Sequence, residues 1–313
     1  MTVTQSQNVV AAQKTGGDNR YKYNNIELKK LFFDYSGLIP FFLFAAIFIG
    51  LPTGSVVVNA FRGNSNEWTF ENLRVAFGDI YFTSLIGSLQ LGFTSALTGA
   101  VIGLAISYAV AISGRKKLQR IVATASGVFA NTGGVPLAFF FIAAIGNYGL
   151  VTIALQKIGI DIYSGDFTLF GFSGLVLVYL YFQIPLMIIV TYPAIEGIRN
   201  EWREAAVNLG ATKTMYWRYV GIPILTPAFT GAFLLLFANA FAAYATANVL
   251  TSGTLPLLPI QIGSLVNGNV VADQVNVGMA MGLEMIIVVS EQWVATYILI
   301  EKLPNGGNDN GKD

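Results

Sequence analysis

Two glutamates, Glu284 and Glu291, stand seven residues apart in the apolar run GMAMGLEMIIVVSEQW. On a helix that spacing puts both on one face, about two turns apart. A carboxylate inside an apolar span is costly and points to function, so the pair could line a cation pathway. Hydrogen bonding to neighbouring helices, or a place for Glu291 near the cytoplasmic end, explains the same pair without a transport role. Other polar groups interrupt other apolar runs: Asn131 with Thr132 before GGVP, Gln183 before Ile-Pro, and Asn239, Tyr244 and Asn248 in FANAFAAYATANVL. These too are candidates for a substrate pathway, against the more common role of such side chains in joining helices. The chain has no cysteine and no histidine. Disulfides, thiolate chemistry, imidazole metal ligation and Ser-His or Cys-His catalysis are therefore excluded. No catalytic set and no metal site is expected, and an enzyme would have to rest on paired carboxylates alone.

The elements that must hold these residues are set by composition. Of 313 residues, 54% are hydrophobic and 11% are charged, against about 25% charged in a soluble domain. The net charge of +1 gives no ground for nucleic-acid binding. Apolar runs fall at about 36–61, 81–112, 121–146, 170–195, 220–251 and 277–300. Each approaches or exceeds the length that crosses a bilayer, roughly 20 residues. The expected fold is all-α, a polytopic membrane protein of six transmembrane helices. Pro136, Pro185 and Pro227 inside these runs are compatible with spanning helices whose neighbours re-satisfy the freed carbonyls. Gly99 and Gly103 in TGAVIGLA read as a close-packing site between helices.

Lysine and arginine set the orientation. The tail before the first span, the GRKKLQR loop, the 196–219 loop and the C-terminus hold 15 of the 18 basic residues. Only Arg62, Arg74 and Lys157 fall in the opposite loops. Both termini are thus expected inside. Residues 1–30 read as a disordered cytoplasmic tail with a short amphipathic end near NNIELKKLFF and without the apolar core of a signal peptide. Residues 31–302 form the membrane domain, and 303–313 form a second cytoplasmic tail. Outside, 66–79 predicts an interfacial helix with Trp68, Phe70, Leu73 and Phe77 at near-helical spacing and Thr69 as N-cap. A second outer helix is expected over 146–160, and 255–276 carries Pro256 and Pro259 before a polar turn. No internal repeat is visible, which weighs against an inverted-repeat secondary transporter.

One loop differs from the rest. At 198–219 the chain predicts a helix capped by Asn200 with Glu201 in its first turn, built on Ala205 and Ala206 and ended by Gly210 at a left-handed position. Thr212 can cap a second short helix with Tyr216, Trp217 and Tyr219, and Pro223 marks entry to the fifth span. An amphipathic helix that merely lies on the membrane surface would share much of this composition.

The spacing is more specific. Glu204-Ala205-Ala206, VNL, Gly210, ATKTMYWRY and Val220-Gly221-Ile222-Pro223 resemble the EAA loop of permease subunits from binding-protein-dependent ABC importers. That family's pattern is E-A-A, three residues, G, nine residues, then I-x-L-P; Val220 and Ile222 are aliphatic departures from it. The resemblance implies the type I importer permease fold, with this loop as a coupling helix seated in a groove of a cytoplasmic ATPase. Glu204 would then make the polar contact, Ala205 and Ala206 would allow close approach, Gly210 would supply the turn, and Pro223 would lead into the span. No G-x-x-x-x-G-K-[ST] motif is present, so no cofactor is expected in this chain: ATP and magnesium would sit on the partner. The implied partners are two ATPase subunits, a second permease subunit in a homo- or heterodimer, an extracytoplasmic solute-binding protein and the bilayer of a bacterial or archaeal cytoplasmic membrane. ISYAVAIS and QIPLMIIVTYPAI look most like the polyamine-type branch, whose relatives carry iron(III), thiamine or aminoethylphosphonate. The alternative from another class is an ion-coupled secondary transporter or channel that needs no ATPase.

Overall fold

The computed structural model of the chain describes residues 37–267 and 274–302. The two expected tails, with the NNIELKKLFF end, and the middle of the polar turn at 268–273 lie outside the described residues. Six stretches are long and apolar enough to cross a membrane. Regular structure among the described residues is helical, apart from an isolated bridge between Arg62 and Trp68.

The chain divides into two compact units, one ending at Val58 and one beginning at Asn59. The first holds most of the first span: α1 (Ile39–Ala45), a π-helical turn (Ala46–Gly50) and α2 (Leu51–Ala60). In that turn the Leu51 amide reaches back to the Ala46 carbonyl. Pro52 follows directly, and a proline inside an α-helix clashes with the carbonyl four residues earlier. The wider π turn makes room for it.

The second unit is built around α4 (Asp79–Ile112), which packs along α8 (Phe172–Glu196) and α11 (Ile222–Phe241). Small residues on α4 make this possible. A methyl group at Gly103 would lie 2.6 Å from Met187 Cβ and 2.9 Å from the Ile184 carbonyl, and one at Gly99 would lie 2.8 Å from Gln183 Cβ. The expected Gly99–Gly103 packing site is thus where α8 seats on α4. Ala96, Ala100, Leu236, Phe237 and Phe241 close the same seam. A second apolar cluster joins Leu137, Leu175, Val178, Tyr179, Leu250 and Leu257.

Two expected spans are not continuous. The third, expected at 121–146, is α5 (Lys116–Ala130) and α6 (Gly134–Ile145) separated by a break at 131–133. Gly133 is extended. Gly134 takes φ 71°, a left-handed geometry that glycine tolerates. Alone, α6 has 12 residues. At the α-helical rise it reaches only about 18 Å, too short to cross. Ahead of the break, α5 packs beside α8. After α6 the chain turns sharply at Gly146–Gly149, and α7 (Leu150–Lys157) folds back on α6 as the expected second outer helix. A Cβ at Gly149 would meet the Ala144 carbonyl at 2.5 Å, so the turn closes only around glycine.

The fifth span, expected at 220–251, ends as α11 at Phe241, and α12 (Ala245–Thr251) resumes after 242–244. A further helix, α13 (Leu258–Val266), precedes the last span, α14 (Val275–Lys302), where only a proline-bearing loop was expected. Pro259 occupies its first turn, where a missing amide costs nothing, and the Ser88 hydroxyl on α4 accepts the Leu258 amide at 2.7 Å.

The first outer helix is shorter than expected: α3 spans Glu71–Ala76, after Phe70 rather than from Thr69. Thr69 still serves its start, its hydroxyl accepting from the Glu71 amide at 3.1 Å. The Asn72 amide pins α3 by donating to the carbonyls of Ala60 and Arg62. Trp68, Phe70 and Phe77 are exposed, as an interfacial helix requires.

Candidate functional site

The loop at 198–219 forms the two expected helices, the first starting one residue earlier than its sequence suggests. α9 covers Asn200–Asn208, with Arg199 rather than Asn200 at the cap position and no side-chain cap bond. The reason is local. Arg199 holds extended backbone (φ −77°, ψ 136°), leaving Asn200 as the first helical residue, and that is the geometry a cap requires. The C-terminus closes by a Schellman arrangement. The Ala211 amide donates to the Ala206 carbonyl and the Gly210 amide to the Val207 carbonyl, both at 2.9 Å. Gly210 sits at φ 81°, the left-handed position that this motif demands. Thr212 caps α10 (Lys213–Tyr216), its hydroxyl accepting from the Met215 amide.

A second π turn, Trp217–Gly221, joins α10 to α11, and again it lies just ahead of a proline, Pro223. The Trp217 ring leaves no room for a Cβ at Gly221, and it meets Tyr108 of α4 edge to face. The loop is therefore anchored at Trp217 and at the buried Tyr216 beside it, and α9 stands free ahead of them. No residue of α9 is buried. Glu204 and Ala205 are exposed and Ala206 is half-buried. Leu209 is 89% exposed. Asn200, Arg203, Glu204, Val207 and Asn208 line one shallow depression along α9. Arg199 and Glu201 make only an exposed 3.8 Å pair, of little energetic weight. Such a helix cannot be explained by packing within its own chain.

The membrane-embedded candidates fall into two groups. Asn131, Asn239 and Tyr244 are exposed and Asn248 is half-buried, all at or beside the two helix breaks. Gln183 is 0% exposed; its amide nitrogen donates to the Leu236 carbonyl at 2.8 Å, which makes it a link between α8 and α11. Glu284 is 2% exposed, and both its carboxyl oxygens are buried without a hydrogen-bond partner among the described residues. Glu291 is exposed on α14 among Ile287, Ser290, Val294 and Ile298. The two glutamates thus do not share an environment.

Sequence reading missed the residues that hold the breaks together. The Tyr179 hydroxyl donates to the Ala243 carbonyl at 3.0 Å, and the Thr246 hydroxyl to the Gly134 carbonyl at 3.1 Å. Neither pair is visible in spacing, since 64 and 112 residues separate the partners.

The described residues thus combine six stretches able to cross a membrane with an exposed helix closed by Gly210. No model of a known protein family matches the chain. It is 26% identical over 194 residues to the probable sulfate transport system permease protein cysT of Chlorella vulgaris, covering 61% of this chain and 68% of that one. It is 25% identical over 141 residues to the spermidine/putrescine transport system permease protein PotC of Shigella flexneri, covering 44% and 52%. A third relative, the thiamine transport system permease protein ThiP of Escherichia coli K12, is 27% identical over 115 residues, or 37% of this chain and 21% of that one. The match thus spans about half or less of the last two relatives. Among solved structures, a bacterial ABC transporter that imports the acidic polysaccharide alginate shares the fold at TM-score 0.69 and 17% identity, over 89% of this chain and 98% of that one. The methionine transporter MetNI does so at TM-score 0.53 and 17% identity, over 72% and 96%. In sequence the chain is thus similar to transport permease subunits, and in fold to the membrane subunits of ABC importers.

Proposed function

We propose that this chain forms part of the passage of an ATP-driven importer for a small solute, and that α9, Gly210 and α10 receive force from a separate ATPase. The observation that carries this reading is the exposure of α9: a helix with no buried side chain, held rigidly by its Schellman end and by the Thr212 cap. Glu204 supplies the polar contact, Ala205 and Ala206 let a partner approach closely, and Pro223 carries the movement into α11. Two ATPase subunits with ATP and magnesium lie on the cytoplasmic side. A second permease subunit completes the passage, and a solute-binding protein docks outside, where α3 and α7 lie. The setting is a bacterial or archaeal cytoplasmic membrane. Support for an external partner comes from a neighbour of this fold whose structure holds an alginate pentasaccharide-bound periplasmic protein.

The cargo we propose is polyamine-like, on the strength of the likeness to PotC. The names of other relatives include sulfate and thiamine. Within the passage we assign Asn131, Asn239, Tyr244 and Asn248 as lining residues; Gln183 and Glu284 are enclosed by the chain itself. Co-purification with the ATPase encoded beside it tests the coupling element. Glu204→Arg should abolish both association and ATP-driven uptake, and uptake that survives loss of the ATPase would return the ion-coupled reading. Uptake of labelled spermidine, sulfate and thiamine by vesicles holding the complete complex tests the cargo. Failure of spermidine alone removes the polyamine assignment and leaves the permease intact.

A further inference from the structure

Four basic residues crowd the corner between α4 and α5: Arg115, Lys116, Lys117 and Arg120, all of them exposed. Local bonds fix the corner. Gly114 turns the chain at φ 64°. The Ser113 hydroxyl accepts from the Arg115 amide at 3.3 Å, and the Gln119 side chain donates to the Ala111 carbonyl at 3.4 Å. The neighbouring helix gives the corner its level. Gly99 and Gly103 of α4 face Gln183 and Met187 of α8, so the two helices run parallel. Equal steps onward they end at the same level, at Ile112 and Glu196. The basic corner thus lies at the same end of these helices as the 198–219 loop.

No acidic group answers these charges. The sequence has no Asp or Glu between Asp79 and Asp161. Among the described residues the ion pairs are Arg74 with Glu71 and Arg199 with Glu201, so Glu196 neutralises none of the four. The 198–219 loop is unlike the corner, because Glu201 and Glu204 offset part of the charge of Arg199, Arg203, Lys213 and Arg218.

The charge runs directly into an apolar strip. Lys117, Ile121 and Val128 fall on one face of α5 by their spacing, all exposed, with Arg120 beside them. Ile112, the last residue of α4, is exposed as well. Ser126, on the opposite face of α5, is buried. Basic residues that only orient a chain during insertion need neither a fixed corner nor an exposed apolar strip continuing from them.

We propose that the α4–α5 corner holds an anionic phospholipid, its headgroup among Arg115, Lys116, Lys117 and Arg120 and an acyl chain along Ile121 and Val128. Charge complementarity selects this occupant. Each basic residue beside an anionic membrane surface strengthens attraction roughly fivefold. A zwitterionic lipid carries the same phosphate but cancels it with its own ammonium group. The site concerns the bilayer and goes beyond the transport reading, since it depends on neither the solute nor the ATPase.

The full chain, purified in an uncharged detergent, is titrated with dioleoyl-phosphatidylglycerol and with dioleoyl-phosphatidylcholine, which share their acyl chains. The anionic lipid should bind at least on the order of tenfold more tightly. Equal affinity for the two lipids overturns the site without recourse to any variant. Replacing Arg115, Lys116, Lys117 and Arg120 together by Gln should erase the preference. Replacing Arg199, Arg203, Lys213 and Arg218 together by Gln should keep it. Loss of the preference in both variants alike would mean diffuse attraction to any basic loop, and the corner would not be a site. Inorganic phosphate should displace phosphatidylglycerol no better than sodium chloride at equal ionic strength; specific displacement would make the corner a soluble-anion site and overturn the lipid. The same variants are then assembled into the complete transporter. If the corner variant lost the ATPase while keeping its lipid preference, the four residues would form a protein contact and the proposal would fail.

Discussion

Gly103 and Gly127 separate what a glycine does from what it merely is. Both lie inside long helices, but a methyl group at Gly103 meets the Ile184 carbonyl at 2.9 Å, and one at Gly127 meets nothing within 4 Å. Gly103→Ala should therefore destabilise the folded chain by about 1–3 kcal/mol through overpacking, read as earlier thermal unfolding in detergent. Gly127→Ala should be neutral or stabilise by about 0.5–1 kcal/mol, since alanine loses less entropy in a helix. The role of Gly103 was legible because small residues four apart in an apolar run have few other uses. The place of Glu284 was not. Helical periodicity puts Glu284 and Glu291 on one side of their own axis but does not say what covers each. Glu284 lies beside Ala280 and Met281 in the core, without a partner for either oxygen. Burying a carboxyl group unpaired costs free energy, so Glu284→Gln should leave uptake unchanged and hold or raise the thermal midpoint. A loss of uptake at normal stability would restore Glu284 to the passage.

The breaks in the third and fifth spans belong to the scale of whole elements, and hydropathy is blind to them. Asn131, Thr132 and two glycines, or Ala242, Ala243 and Tyr244, barely alter an average taken over a whole span. What fixes them is long-range: the Tyr179 hydroxyl satisfies the Ala243 carbonyl just beyond α11, and the Thr246 hydroxyl ties α12 to the Gly134 carbonyl at the start of α6. Tyr179→Phe keeps the ring and removes the hydroxyl, leaving the Ala243 carbonyl unpaired inside the protein at a cost of about 1–3 kcal/mol. Hydrogen exchange should then rise around 242–247 while the α4–α8 seam stays protected. A uniform rise along the chain would mean that Tyr179 supports the core at large and not the break. The local structure of the 198–219 loop, by contrast, was almost fully readable. Its caps, its left-handed glycine and its proline are local devices, each set by residues within a few positions of one another. The error there was one residue at the start of α9.

At the scale of the molecule, a push delivered to α9 would have its shorter covalent route outward through α10 and α11 to the break at 242–244. Gly210 and Thr212 lock α9 to α10, Trp217 anchors the π turn against Tyr108, and Pro223 begins α11. α11 has 20 residues, and its far end is the break at 242–244. As a helix it makes a rod about 30 Å long. Packed helices transmit such movement only while they remain rigid. Inserting two glycines after Thr230 turns the outer half of α11 by about 200° relative to the inner half and softens the joint, but it leaves the coupling loop untouched. Assembly with the ATPase and basal ATP hydrolysis should persist, and uptake should fall to background. If uptake and hydrolysis fell together, the insertion would have unfolded the subunit, and the Gly103→Ala unfolding profile gives the signature to compare. If uptake survived, α11 would not be the lever, and movement would have to cross the protein through α4 and α8, which flank α11 along the same seam.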